Sequence, residues 1–178
     1  LIFAPIILAI PILFFRDNVK LIKVFSLVVT TAVFGLAVYL FMIFNAANPD
    51  YQLVERHQWV KDFNIYYLLG LDGISLLMVM LTAFIFPVTI LGVWNSITTR
   101  VREFYFLLLI LMGSLFGVFL SLDLILFYVF WELILIPMYF IIGFWGGKNK
   151  YYANLKFFLY TMFGSLLMLV AMIWVAQY

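Results

Sequence analysis

Cysteine is absent from the 178 residues, histidine occurs once, at His57, and only 10% of the residues are charged. Without cysteine the chain cannot form a disulfide, ligate an iron–sulfur cluster or build a Cys–His zinc site. A single histidine outside the apolar runs also excludes bis-histidine haem ligation. We therefore expect no redox cofactor to be bound by this chain. Because a soluble domain carries about 25% charged residues, an ordinary soluble fold is excluded too.

Apolar residues make up 68% of the chain, and the mean hydropathy is +1.20. This composition predicts an all-α, polytopic transmembrane protein whose main surroundings are the lipid bilayer. The net charge of +2 fits basic loops at a membrane surface and gives no sign of a nucleic-acid surface. Leu1 and Tyr178 both lie in apolar runs, which favours a piece of a longer protein, and the first run lacks the features of a signal peptide.

Six apolar segments reach, or nearly reach, the roughly 20 residues that a helix needs to cross a bilayer. They predict one transmembrane domain over residues 1–178, with helices at about 1–15, 21–44, 71–94, 103–120, 124–145 and 152–176. Pro87 predicts a kink in the third helix. The polar sequence SLD at 121–123 is the only place where the long run from 104 to 146 can turn. Segment 45–70 mixes polar and aromatic residues, which is typical of a loop at the membrane interface.

Basic residues concentrate in alternate loops. Seven of them fall in the first, third and fifth loops, and only two fall in the second: the seven are Arg16, Lys20, Lys23, Arg100, Arg102, Lys148 and Lys150. The positive-inside rule then places the odd loops in the cytoplasm and the N-terminus outside.

One acid lies in the middle of a membrane-grade segment. The sequence FYVFWELILIPMYFIIGFWGG (127–147) contains Glu132 as its only charged side chain, and the helical rise places it near mid-bilayer. A carboxylate there is costly unless it takes up a proton or finds a cation or water. Such a group changes protonation when its surroundings change, as a proton relay requires. The alternative is a protonated Glu132 that donates a structural hydrogen bond between helices.

The neighbours of Glu132 favour a polar interior. Tyr128 lies one turn earlier on the same helix face and Tyr139 lies two turns later. Pro137 removes the hydrogen bond to the carbonyl of Leu133, and a freed carbonyl at that depth must be buried in protein or wetted. We therefore name Glu132 as the candidate catalytic residue for proton transfer, with Tyr128 as a secondary candidate.

Lys156 is the second relay candidate. It lies about one turn into the sixth span, in YYANLKFFLYTMFGS, and shares a helix face with Tyr160 and Gly164. The alternative is a lysine that snorkels to the headgroups. Because Lys156 and Glu132 differ in depth by roughly 10 Å, we expect water between them rather than direct contact.

Several small or acidic residues have structural interpretations. Gly113, Gly117 and Ser121 form a stripe on the fourth span that permits close helix packing. Asp72 and Asp123 lie at predicted helix starts, where a carboxylate favours the helix dipole, and Asp72 can also cap its helix.

Three stretches resemble one family. LGLDGISL (69–76), the Glu132 segment (127–147) and LKFFLYTMFGS (155–165) are similar to the antiporter-like membrane subunits of proton-pumping NADH:quinone oxidoreductase, complex I. Within that family the sequence most resembles bacterial chain M, which is related to mitochondrial subunit 4. The resemblance covers nearly the whole chain and is weakest in residues 1–60. It implies more than a dozen helices with two inverted repeats, of which this chain would supply the first six helices.

The resemblance also implies a function. Glu132 stands at the position of a fifth-helix Glu that is essential for proton transfer and works with a seventh-helix Lys, which this sequence does not include. Lys156 matches the Lys of a sixth-helix K-F-F motif and would tune the Glu or extend the path inward. The chain would then be a subunit of a translocating oxidoreductase in the bacterial plasma membrane, beside other antiporter-like chains. NADH, FMN, iron–sulfur clusters and quinone would bind to partner subunits, and quinone reduction there would move charges that shift the proton here.

Two other functions stay open. Subunits of multisubunit Na⁺/H⁺ antiporters share this ancestry and would use the same Glu132. A non-pumping membrane scaffold would keep Glu132 only for its hydrogen bond. Membrane-bound hydrogenases also contain such subunits and rank lower. The sequence does not decide between H⁺ and Na⁺.

Overall fold

Long apolar helices dominate the computed structural model, which describes residues 1–15, 18–48, 50–60 and 65–176. The helices are α1 (Phe3–Ala9, continued by a 3-10 helix over Ile10–Phe14), α2 (Val19–Ile43), α3 (Gly73–Gly92), α4 (Val101–Leu120), α5 (Leu124–Trp145) and α6 (Lys150–Ala176). In the described part of the chain, α2 to α6 are the five helices long and apolar enough to cross a membrane. The predicted all-α, polytopic class is confirmed, and the first predicted span corresponds to the shorter apolar segment Phe3–Phe14.

Some residues of the predicted loops, and the last residue, fall outside this description. The loop charges Arg16, Lys61 and Asp62, the aromatic Phe63 and the final Tyr178 lie beyond the described ranges. The other odd-loop basic residues are all described.

Polar side chains fix the first turns of three helices. The Asn18 side chain accepts a hydrogen bond from the Leu21 N–H at the start of α2. Asp72 and Ser75 form a reciprocal capping box at the start of α3, so the helix begins at Gly73 rather than at the predicted residue 71. Asp123 accepts from two backbone N–H groups in the first turn of α5. The caps satisfy N–H groups that would otherwise lack partners at a helix start.

The core of the bundle is built around α4. This helix packs against α1, α2, α3 and α5, and it is the most buried of the spans. Tyr105, Leu109, Met112 and Phe116 follow one another along its inner side and are fully buried. α6 packs on α5, and most of its surface is exposed. α6 therefore lies at the edge of the bundle and is joined to the core through α5.

The small-residue stripe of α4 does permit close packing. A Cβ atom on Gly113 would lie 2.5 Å from Ile6 Cγ1 of α1, and a Cβ on Gly117 would overlap the ring of Phe130 on α5. The Ser121 hydroxyl donates to the Gly117 carbonyl at 2.6 Å and so is satisfied within its own helix. The predicted packing role is confirmed for both glycines.

The segment between α2 and α3 contains a β-hairpin that the sequence analysis did not predict. Strands β1 (Gln52–Val60) and β2 (Ile65–Leu71) pair antiparallel, with His57 opposite Tyr67 and two irregularities in the register. His57 is exposed, and its ring lies 6.3 Å from that of Tyr67.

The hairpin is attached to the turn between α4 and α5. The Leu122 N–H donates to the Leu68 carbonyl at 2.9 Å, and the Tyr66 N–H donates to Asp123 Oδ2 at 3.2 Å. Gly70 permits the close approach, because a Cβ there would lie 2.5 Å from Leu122 Cδ1. Asp123 therefore joins two elements, since the same side chain caps α5.

Candidate functional site

Glu132 lies on α5 beside a groove between α5 and α6. It is the ninth residue of a helix that begins at Leu124, so it lies about 12 Å from that end and about 20 Å from the end at Trp145. The groove has a volume of about 380 Å³, and its other lining residues are all apolar: Val129, Leu133, Leu135, Ile136, Phe158 and Met162. The only acid of the segment therefore lies well inside the helix, at the depth that the sequence predicts.

One oxygen of this carboxyl group lacks a partner. Glu132 is half-buried, and its Oε1 atom is fully buried without a hydrogen bond to any described residue. Within the described part of the chain Glu132 forms no ion pair either. Leaving a buried acceptor unpaired is costly. The site therefore calls for a hydrogen-bond donor at this oxygen.

A phenol lies next to the carboxyl group, and a serine hydroxyl lies next to the phenol. The Tyr128 hydroxyl, one turn earlier on α5, interacts with both the Glu132 carboxyl group and the Ser165 hydroxyl of α6. Ser165 is buried and also donates to the Met162 carbonyl at 3.0 Å. Ser165 lies about 22 Å from the start of α6, level with Glu132 and Tyr128 on the antiparallel α5. The structure therefore brings together a carboxyl group, a phenol and an aliphatic hydroxyl at mid-depth.

Asn154 is a polar residue in the same interface that the sequence analysis did not single out. It is buried on α6, its Oδ1 has no partner among the described residues, and its Nδ2 would lie 2.8 Å from a Cβ on Gly143 of α5. Asn154, Phe158, Met162 and Ser165 share one face of α6 by their spacing. The sequence did contain a signal for this residue, because a polar amide within an apolar span is usually buried against another helix.

The ring of Tyr139 closes part of this interface. Its centroid lies 5.2 Å from that of Phe158 on α6, in an edge-on arrangement. Pro137 is fully buried, and α5 remains one helix through it.

Lys156 lies away from Glu132. It is exposed, and its ammonium group lies 5.9 Å from the centre of the Tyr152 ring on the preceding turn. Tyr160 and Gly164, which share its helix face, are exposed as well. Lys156 lies about 9 Å from the start of α6, roughly 11 Å nearer the loop than Glu132. The two relay candidates are therefore not in contact, as their depths predict.

The described residues offer no place for a protein-held metal ion. Across the described ranges, no three His, Cys, Asp or Glu side chains lie close enough to form such a site. The polar groups that the structure gathers here are the Glu132 carboxyl group and the Tyr128 and Ser165 hydroxyls, which can donate and accept hydrogen bonds.

Comparison with known proteins agrees with this fold. Residues 121–178, which contain Glu132, match the family model described as NADH:quinone oxidoreductase/Mrp antiporter, TM. The chain is 49% identical over 148 residues to NADH-quinone oxidoreductase subunit M of Rhodobacter capsulatus, covering 83% of this chain and 28% of the relative. It is 41% identical over 183 aligned positions to subunit M of Rickettsia conorii, covering 98% of this chain and 36% of the relative.

A solved structure shows the same architecture. A chain of respiratory complex I from Thermus thermophilus with bound NADH matches with a TM-score of 0.80 and 28% identity, covering 96% of this chain and 34% of that one. The fold and site thus define a multi-pass membrane protein with an intramembrane acid. Residues 121–178 belong to the matched family, and the chain is related to the antiporter-like membrane subunits of complex I. It spans 28% and 36% of the length of the two curated relatives.

Proposed function

We propose that the chain is part of a proton-translocating membrane subunit of NADH:quinone oxidoreductase, with Glu132 as the proton-carrying residue. The observation that carries the proposal is the buried, unpartnered Glu132 Oε1 at mid-depth, beside the Tyr128 hydroxyl. An acid in that environment takes up and releases a proton when a nearby charge or water molecule changes. No redox chemistry is assigned to this chain, and NADH and quinone would react on partner subunits.

The proton path follows from the chain's own residues. Tyr128 and Ser165 supply neutral hydroxyl groups that can both donate and accept hydrogen bonds, so they can connect Glu132 to further groups. The apolar walls of the groove keep the dielectric constant low there, so a charge that moves elsewhere in the protein acts strongly on the carboxyl group. Proton transfer at Glu132 can therefore be coupled to distant electrostatic changes.

Lys156 has a supporting role in this proposal. Its ammonium group lies near the start of α6, between the loop and the depth of Glu132, and faces away from α5. Water would have to connect it with the carboxyl group. It would tune Glu132 through space or extend the path inward rather than pair with Glu132 directly.

Replacing Glu132 by glutamine tests the proposal in the full-length protein, assembled in its native membrane. Glutamine keeps the size of the side chain and can form hydrogen bonds, but its amide group does not ionise and so cannot take up and release a proton. We expect the proton flux through this chain to fall about 100-fold or more, because removal of a positioned acid–base group has effects of 10²–10⁴. The measurement is the number of protons moved per NADH oxidised.

Glu103→Gln is the matched control. Glu103 lies in the first turn of α4 with its side chain 46% exposed, next to Arg102, and its loss should leave the ratio of protons to electrons unchanged. A Glu132→Gln protein that pumps at the parent ratio would contradict the relay and favour a structural hydrogen bond. A Glu132→Asp variant keeps the acid and should retain part of the flux.

The alternative is a subunit of a multisubunit Na⁺/H⁺ antiporter. The description of the matched family names both kinds of protein, and an intramembrane acid would serve either. Purification decides between them. Recovery of the full-length protein with NADH-oxidising, iron–sulfur-containing subunits supports the respiratory complex, and Na⁺-dependent proton exchange without them supports the antiporter.

A further inference from the structure

A groove of about 470 Å³ lies beside the β-hairpin, at the end of the bundle where α3 and α5 begin and α4 ends. Because three spanning helices start or end at this level, the groove opens at a boundary of the membrane. Glu132 does not line it. The groove is therefore a feature separate from the proposed proton site.

The lining of the groove changes from polar to apolar with depth. Asp72 and Ser75 lie at the start of α3, and Met78 lies about 8 Å below that start. On α5 the rings of Phe127 and Trp131 stack with their centroids 5.8 Å apart, and Trp131 lies about 10 Å below the start of the helix. The groove thus combines a polar mouth with an aliphatic and aromatic wall, which suits an amphipathic ligand.

Asp72 gives the mouth of the groove a negative charge. It is the only charged side chain among the described residues that line the groove. Its Oδ1 accepts from the Ser75 N–H at 2.7 Å, and this hydrogen bond holds the pKa of Asp72 below its usual value. The carboxylate is therefore charged at neutral pH, so it favours a cation at the mouth and disfavours an anion.

Two hydrogen-bond donors of the lining have no acceptor in the described part of the chain. They are the Tyr51 hydroxyl and the Trp131 indole N–H. Tyr51 is 55% exposed and Trp131 is 38% exposed, so both are open to a bound molecule. Tyrosine and tryptophan at a membrane boundary place an apolar ring against lipid and a polar group toward an acceptor. The groove therefore offers an anion at its mouth, two donors and an apolar wall.

We propose that this groove binds a phospholipid whose headgroup carries a primary ammonium group. The ammonium group would pair with Asp72, and phosphate or ester oxygens would accept from Tyr51 and Trp131. An acyl chain would lie against Met78 and Phe127. An anionic headgroup lacks the cation, and a trimethylated headgroup has no N–H to donate. The proposal does not depend on the role of Glu132.

A photoactivatable phosphatidylethanolamine tests the proposal on the full-length protein, solubilised in mild detergent with the subunits that accompany it. The probe carries a diazirine on an acyl chain near the glycerol, and mass spectrometry locates its adducts on this chain. Competing phosphatidylethanolamine, phosphatidylcholine or phosphatidylglycerol with identical acyl chains is added to separate samples.

We expect adducts on the segments of α3 and α5 that contain Met78 and Trp131. Phosphatidylethanolamine should displace these adducts about fivefold better than the other two lipids, because pairing of partly exposed charges changes affinity by up to about that factor. Adducts on this chain outside the groove should be displaced equally by all three lipids.

Asp72→Asn isolates the effect of the charge. Asparagine still caps α3, so the helix keeps its first turn, but the preference for phosphatidylethanolamine should disappear. Asp123→Asn is the matched control and should keep the preference, because Asp123 caps α5 at the same end without lining the groove.

Three results would overturn the proposal. The first is equal displacement of the groove adducts by the three lipids in the parent protein, which decides the matter even if the variant fails to assemble. The second is a preference that survives in the Asp72→Asn protein. The third is the absence of adducts in the groove, since a protein segment would then occupy it.

Discussion

At the residue scale, the contact between α4 and α5 depends on the missing side chain of Gly117. A Cβ there would overlap the Phe130 ring, which is itself buried. Gly117→Ala should therefore destabilise the protein by about 1–3 kcal/mol, as overpacking of a filled core does. Thermal unfolding of the full-length protein in detergent measures the effect.

Gly164→Ala is the control for this prediction. Gly164 is also helical, but a Cβ there would have nothing within 4 Å. Alanine is a better helix former than glycine by up to about 1 kcal/mol, so this variant should be as stable as the parent or more so. Equal losses at both positions would show that steric overlap with Phe130 is not the cause.

The polar site was only partly predictable at this scale. The four-residue spacing of Tyr128 and Glu132 indicates a shared helix face, and the two side chains do interact. Ser165 and Asn154 could not be assigned to the site from spacing, because their contacts with α5 depend on how α6 packs against it. Lys156 was named as a relay candidate because it is a charge in an apolar span. Its place on the exposed face of α6 also depends on how α6 packs against α5.

At the scale of elements, Asp123 holds the hairpin to the bundle. Its side chain accepts from the Ile125 and Leu126 N–H groups at 2.9 and 3.1 Å and from the Tyr66 N–H at 3.2 Å. Asp123→Ala removes the cap of α5 and one tie to β2. A cap alone contributes about 0.5–2 kcal/mol, and we expect a loss in the upper part of that range, measured by thermal unfolding.

Asp123→Asn separates the effect of hydrogen bonding by the side-chain oxygen from the effect of the negative charge. Asparagine caps helices as well as aspartate does, so α5 should keep its first turn. If the Asp123→Asn protein keeps most of the parent's stability, hydrogen bonding by the side-chain oxygen is the cause. A loss as large as that of the alanine variant would instead point to the negative charge.

The helices and the hairpin differed in how well the sequence revealed them. Long apolar runs are visible without tertiary information, and the polar SLD turn at 121–123 does separate α4 from α5. The hairpin has no comparable signal. All the interior residues of β1 are exposed, so it lacks the alternation of buried and exposed positions that marks a strand. Its partner, β2, is held by hydrogen bonds to distant residues, one with the Leu122 backbone and one with the Asp123 side chain.

At the scale of the whole molecule, one end of the bundle is tied together by basic and indole groups. The Lys23 ammonium group donates to the Trp94 carbonyl after α3, and Lys150 Nζ donates to the Phe144 carbonyl near the end of α5 at 2.7 Å. The Trp145 indole N–H donates to the Thr99 carbonyl at 2.9 Å. Cations near helix carboxyl ends complement the helix dipole, so the charges that predict orientation also stabilise this end.

This arrangement leads to a prediction about orientation. The described loop at residues 146–149 lies at the basic end, and the β-hairpin lies at the opposite ends of α2 and α3. If the basic end faces the cytoplasm, a thiol at Gln58→Cys should react with an impermeant maleimide in intact cells, and a thiol at Asn149→Cys should react only after the membrane is opened. Both positions are exposed, and the chain has no other cysteine, so each label reports one loop.

Opened membranes provide the internal control for this experiment, because both thiols should then react and any difference in intact cells reflects sidedness alone. Labelling of Asn149→Cys but not of Gln58→Cys in intact cells would show that the orientation is the opposite of the one we expect.

The orientation also decides how far Glu132 lies from each side of the membrane. Glu132 is about 20 Å from the basic end of the bundle and about 12 Å from the other end. In the orientation that we expect, a proton taken up from the cytoplasm on the proposed path would travel the longer part of that path before it reached Glu132. Asn154 and Lys156 lie along this longer part, where polar groups would support water between apolar helices.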